Sequence, residues 1–242
     1  MTALLYDGTY GGFLTGVFEA YRRGLVADCI IRSRSRGLPL CDCVFVETSD
    51  EYSQRVERKL FELDTARTVY KAWLTEEEGI EDDIFDCIRM AVSKNSSPWN
   101  DKTKKCVKRV CDAAGRVGFE VHRFQQFVRF SRVSADPEVF VADIDPLYDV
   151  LPMLGNHFSK RFSSQYFIIR DVKRQKALVW DMRQWYISYD SRIFDIPCVE
   201  DGGFGEMWKG YFNAVAIPWR KNKKLQAQFV PQRYRRYLTE FN

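Results

Sequence analysis

No stretch of about 18 consecutive apolar residues occurs in this chain, so no transmembrane helix and no membrane partner are expected. The opening MTALLYDGTYGG lacks a basic segment followed by an apolar one, which excludes an ordinary secretory signal and makes a cytoplasmic location the expectation. Histidine is scarce, with His122 and His157 the only two, and no CxxC is present. The seven cysteines are odd in number and scattered, and neither Cys41-x-Cys43 nor Cys106-x4-Cys111 has a zinc spacing. They read as reduced thiols buried as small hydrophobes, with no metal and no iron–sulfur cluster expected. The phosphate-binding pattern GxGxxG is missing as well. Asp7-Gly8 with Gly11 and Gly12 falls between a predicted strand and a predicted helix, where a tight turn at positive φ accounts for the glycines. Methyl transfer is therefore not expected, and no cofactor is. Internal repeats and low-complexity segments are absent too.

What is present is an ordinary globular composition, 45% hydrophobic and 29% charged, with aromatic content raised to 15%. So many rings need either a well-packed core or a stacking surface. The net charge of +4 hides a split. Residues 1–100 carry 12 Lys and Arg against 17 Asp and Glu, and residues 101–242 carry 25 against 16. An acidic run covers Glu76, Glu77, Glu78, Glu81, Asp82, Asp83 and Asp86, while basic residues cluster at 102–109, 160–176 and 220–236. Blocks of one sign create a field that selects partners, and a basic half suits a phosphate backbone.

Periodicity predicts a short strand before Asp7, a helix over 13–21, and a strand at 43–48. A helix capped by Ser49 or Asp50 follows, then two more near 65–75 and 80–94. KNSSPWN at 94–100 reads as a linker before a long amphipathic helix over 102–126. Strands at 127–133 and 139–145, a helix at 150–162, and three antiparallel strands in QYFIIRDV, KALVWDM and QWYISY come next. A final helical pair, 204–217 and 223–238, is broken at Pro231. The class is α+β, with a mostly helical acidic part carrying a short sheet over 1–98 and a basic part over 99–242, whose antiparallel sheet is flanked by helices.

The chemistry-bearing candidates are few. His122, His157 and Asp149 are the acid–base candidates, although a histidine beside an apolar stripe often satisfies a single hydrogen bond and Asp near Pro146 caps or turns. His157, Lys160 and Arg161 share one helical face and make an anion site. In the C-terminal segment Arg220, Lys221, Lys224, Arg233, Arg235 and Arg236 interleave with Trp219, Phe229, Tyr234 and Tyr237. Basic groups neutralise phosphates and rings stack on bases, but the same apolar positions would also dock this helix on a core. With Arg129 and Arg174, these form the expected nucleic-acid-binding set.

Five segments carry a likeness: YDGTYGGF (6–13), VHRFQQFVRF (121–130), PLYDVLPMLGNHFSKRF (146–162), IIRDVKR (168–174) and RKNKKLQAQFVPQRYRRYLTE (220–240). In order and spacing the chain resembles a bacterial family described as probable DNA-metabolism proteins. Members are typically encoded beside a radical S-adenosylmethionine protein and are sometimes fused to a uracil-DNA glycosylase-like domain. The resemblance implies a DNA-repair or modification setting, with DNA and the radical enzyme as partners. Where the family often has an aromatic after the Arg-Tyr pair, this chain has Arg235. The resulting expectation is a nucleic-acid-binding accessory protein, with an enzyme acting directly on damaged DNA, or a protein–protein adaptor, as alternatives.

Overall fold

The computed structural model describes residues 2–24, 29–32, 42–135, 137–196, 210 and 230–238. The chain forms two compact units, residues 1–119 and 120–242, and both contain helices and sheet, so the α+β class stands. No helix among the described residues is long and apolar enough to cross a membrane.

In the first unit β1 (Thr2–Tyr6) lies between β2 (Cys29–Arg32) and β3 (Asp42–Phe45), parallel to both. Parallel neighbours need a crossover, and α1 (Tyr10–Arg22) supplies the one from β1 to β2. The turn into α1 is built by Asp7. Its carboxylate accepts hydrogen bonds from the Thr9 amide at 2.8 Å, the Thr9 hydroxyl at 2.7 Å and the Thr48 hydroxyl at 2.9 Å. A side chain on Gly12 would collide with that carboxylate and with Thr48 Oγ1, and Gly8 sits at φ 89°. An acidic group thus already occupies the helix end where a phosphate would bind. The glycines serve the turn.

Ser49 caps α2 (Asp50–Glu62), and α3 (Ala66–Trp73) and α4 (Ile80–Lys94) follow as the periodicity predicts. The segment 94–100 is a turn inside the first unit, begun by Asn95 at φ 47°. The division between units falls instead within α5 (Lys105–Phe127), whose Val107, Val110, Ala113 and Val117 are fully buried. Tyr6, at the end of β1, donates to Glu81 at 3.0 Å and accepts from Arg32 at 3.0 Å and Trp73 at 3.1 Å. That buried cluster joins β1, β2, α3 and α4, and its burial pushes the Tyr6 phenol far above its usual range.

The acidic run is not an open face. Glu77 binds Arg116 at 2.6 Å, Asp83 binds Arg109 at 2.5 Å, and Glu81 binds Arg32 at 3.0 Å. Asp82 accepts the amide of Ile30 at 2.9 Å. Arg109 and Arg116 of α5 therefore belong with the acidic run, and the charge split softens accordingly. The first unit holds 18 Lys and Arg against 19 Asp and Glu, the second 19 against 14.

The second unit is built on a five-stranded sheet in the order β4 (Ser131–Ala135), β5 (Glu138–Ile144), β6 (Tyr166–Asp171), β7 (Lys176–Trp180), β8 (Trp185–Ser188). β6, β7 and β8 are antiparallel as expected, but β5 and β6 run parallel, which makes the sheet mixed. The reason is α6 (Leu151–Arg161), which carries the chain back across β7 and β8 before β6 begins. Phe140, Phe167 and Trp180 occupy one cross-strand row, and Asp171 and Lys176 another at the opposite end of the same face. Gly155 lets α6 approach closely, because a Cβ there would stand within 2.5 Å of Trp185 Cε2. A short helix α7 (Gln232–Arg235) starts after Pro231, and the predicted helix at 204–217 lies outside the described residues except for Gly210.

Two consequences are measurable. Gly155→Ala forces the Trp185 ring away and is expected to cost about 1–3 kcal/mol in urea unfolding. Unchanged stability would contradict the packing. Burial, reinforced by Glu81, Asp83 and Asp86, lifts the Asp82 carboxyl to about 6 despite the Ile30 amide. A folded-state value above the unfolded one means that the contribution of Asp82 is fully present below about pH 4 and is lost as pH rises toward 6. Asp82→Asn keeps the acceptor and is expected to match wild type at pH 4 and to exceed it by about 1–2 kcal/mol at pH 7, discounted for partial exposure. An equal difference at both pH values contradicts this.

Candidate functional site

The second unit closes around Glu120, a carboxylate set in the apolar stripe of α5 between Val117 and Phe124 and only 2% exposed. A charge so buried persists only when several donors meet it. Its oxygens accept the amides of Leu147 at 3.1 Å and Tyr148 at 3.0 Å, the guanidinium of Arg233 at 3.0 Å, and the Tyr234 hydroxyl at 3.4 Å. Tyr234 is 3% exposed, its ring edge-on to Phe124 at 5.2 Å and tilted on Phe127 at 5.4 Å. The Arg233 guanidinium lies 4.6 Å over the same ring.

The C-terminal motif is therefore docked by the residues expected to stack and to bind phosphate. Tyr234 cannot stack on a base while its faces are covered. Arg236 pairs with Asp145 at 2.6 Å and also donates to Tyr237, and Arg235 bonds the Val230 carbonyl at 3.1 Å. Arg220, Lys221 and Lys224 lie outside the described residues.

The turn that Glu120 grips is held from its other side by Arg174, which donates to the carbonyls of Pro146 at 3.2 Å and Leu147 at 2.8 Å and to Asp171. Asp171 is fully buried, and burial pushes its carboxyl above the ordinary range. Beside it Lys176 pairs with Asp149, both about nine-tenths buried. Asp149 is thus locked in an internal ion pair and closed to a substrate. His122 lies on the exposed side of α5 with Gln126 Nε2 3.0 Å from its Nε2. His157 is edge-on to Phe158, and its Nε2 is buried without a partner. Burial, then Arg161, pulls its imidazole below the usual value, so it is uncharged at neutral pH and adds no charge to the expected anion site. Among the described residues no hydrogen bond joins any two of these three, and no group of three or more His, Cys, Asp or Glu is placed to hold a metal.

At the aromatic end of the sheet the arrangement differs. Val128, Arg129, Phe130, Phe140, Phe162, Gln165 and Phe167 line a cavity of about 250 Å³. Phe167, 1% exposed, is the most deeply buried of the lining rings, and Phe130, Phe140 and Phe162 are half-buried around it. Phe130 meets Phe162 edge-on at 5.3 Å and Phe167 at 5.5 Å. Arg129 is turned by hydrogen bonds from Nη1 to the carbonyls of Gln126 at 2.7 Å and Val128 at 3.4 Å. Arg161 lies 5.7 Å over Phe162, one of the lining rings, and with Lys160 it forms the exposed C-terminal end of α6. Lys160 and Arg161 form no ion pair among the described residues. Of the cations expected to bind nucleic acid, these two are open while Arg174, Arg233 and Arg236 are paired.

The pattern of a family described as a domain of unknown function (DUF4130) matches residues 78–240. The chain belongs to this family. No significant match was found among curated proteins or among solved structures. The DUF4130 match takes in α4, α5 and everything described here in the second unit, including Glu120, the ion pairs and the whole lining of the cavity. Four of the five sequence motifs lie within it, and 6–13 precedes it.

Glu120 and Gln165 escaped the sequence reading. A carboxylate in an apolar stripe was the available signal for Glu120, whereas nothing around Gln165 distinguishes it. Removing a partner from a buried charge is costly, so Arg233→Ala is expected to destabilise the protein by about 2–3 kcal/mol in urea unfolding. Lys160→Ala should stay within about 0.5 kcal/mol of wild type. Equal effects of the two substitutions would contradict this division of roles.

Proposed function

We propose that this protein is a nucleic-acid-binding accessory factor in DNA repair or modification, acting through its second unit. One observation carries the reading: the open cations Lys160 and Arg161 end the helix next to Phe162 of a phenylalanine-lined cavity, with Arg161 5.7 Å over that ring, on a unit holding 19 basic against 14 acidic side chains. Flexible, unpaired cations bind phosphate and release its counterions, and adjacent rings accept bases. Arg129, in the cavity wall, belongs to the same surface. Arg233, Arg235, Arg236 and Arg174 support it by holding the fold.

The likeness of the five motifs to the bacterial DNA-metabolism family supports DNA as the nucleic acid, a cytoplasmic setting, and a radical S-adenosylmethionine enzyme as the protein that does the chemistry. The ion pair that holds Asp149 and the separate surroundings of His122 and His157 favour binding over direct hydrolysis.

Fluorescence anisotropy with labelled single- and double-stranded DNA at a series of salt concentrations tests this. Binding is expected to weaken steeply with salt, and Lys160→Ala/Arg161→Ala is expected to reduce the log–log slope by about 1.4–1.8, the contribution of two phosphates. Salt-independent binding, or none at low salt, sinks the proposal.

A further inference from the structure

We infer that the cavity of the second unit takes a single unstacked nucleobase, so that the protein holds DNA at a position where a base has left the helix. The inference rests on the nucleic-acid reading above and goes beyond it in naming what enters and where. The cavity's lining rings are half-buried and aromatic, from Phe130, Phe140 and Phe162, and the deepest of them is Phe167. Aromatic rings offer π faces to a flat ligand and tolerate any base, which aliphatic side chains do not do as well. At about 250 Å³ the space falls short of the roughly 300–1,000 Å³ of sites for drug-sized molecules, and suits one planar ring system.

Gln165 supplies the polar recognition. It is half-buried in the lining, and its carboxamide makes no hydrogen bond among the described residues. A carboxamide presents a donor and an acceptor side by side, as a base edge does. Arg129 contributes a guanidinium to the same wall. The attached sugar-phosphate would meet Arg161, 5.7 Å over the lining ring of Phe162, and Lys160, which precedes it on the exposed end of α6. The row Phe140–Phe167 on the parallel pair β5 and β6 makes the wall rigid, because both residues sit in a hydrogen-bonded ladder. A base inside a duplex cannot reach such a cavity, so strand separation, a mismatch or damage that weakens stacking would favour occupancy.

Anisotropy with two labelled strands of equal length separates this inference from the reading beneath it. One strand carries ordinary bases and the other is abasic throughout, so both present the same phosphates. The wild-type protein is expected to bind the strand with bases about tenfold more tightly. Gln165→Ala, a half-exposed position, and Phe140→Trp, which fills the cavity, are expected to erase that preference without changing the salt slope. Equal wild-type affinity for the two strands, or a preference that survives both variants, overturns the base site and leaves phosphate binding standing. Absence of salt-dependent binding to either strand removes both. Uptake of a tryptophan-bearing tripeptide in the cavity with no base preference assigns it to a protein side chain and also overturns the inference.

Discussion

A carboxylate with 2% exposure must be met by donors on every side, and the donors that reach Glu120 come from two distant parts of the second unit. The amides of Leu147 and Tyr148, the guanidinium of Arg233 and the hydroxyl of Tyr234 converge on it. The turn at 146–149 is thereby fixed against α5, and the C-terminal segment is fixed over both. Arg174 completes the arrangement by binding the carbonyls of the same turn and the buried Asp171. That turn leads directly into α6, and α6 ends at Lys160 and Arg161. The geometry of the proposed binding surface therefore descends from a buried charge at the other end of the helix.

The same constraint sorts the basic side chains. A unit with a surplus of cations must neutralise those that lie near its interior, and Arg170, Arg174, Lys176 and Arg233 each have a carboxylate partner, as does the exposed Arg236. The pairs hold the sheet, the turn and the C-terminal motif. Lys160 and Arg161 lie where α6 leaves the core, and there the surface is aromatic. Density of positive charge along the sequence is thus a poor guide to which groups face a ligand; the pairing decides.

Much of the fold was legible because its causes are local. Ser49 capping α2, the apolar stripe of α5 and the alternation in β6, β7 and β8 are each written within a few residues. β2, four residues at the edge of its sheet, was missed, and the parallel pairing of β5 with β6 was hidden because it depends on where α6 carries the chain. The site was legible only in part. Arg129, Lys160 and Arg161, named from charge and motif, belong to the proposed surface, whereas Arg233 and Tyr234, which read the same way, are bound to a carboxylate more than a hundred residues earlier. The cavity draws on 128–130, Phe140 and 162–167, segments that mean little until the sheet brings them together.

In the proposed complex DNA meets the end of α6 and the aromatic cavity, while the C-terminal motif holds the fold. Hydrogen exchange with and without a single-stranded oligonucleotide tests it most directly. Added protection is expected over 128–130 and 158–167 and none at 145–149 or 230–238. Protection concentrated on 230–238, with 158–167 unaffected, would contradict it and return nucleic-acid binding to the C-terminal motif.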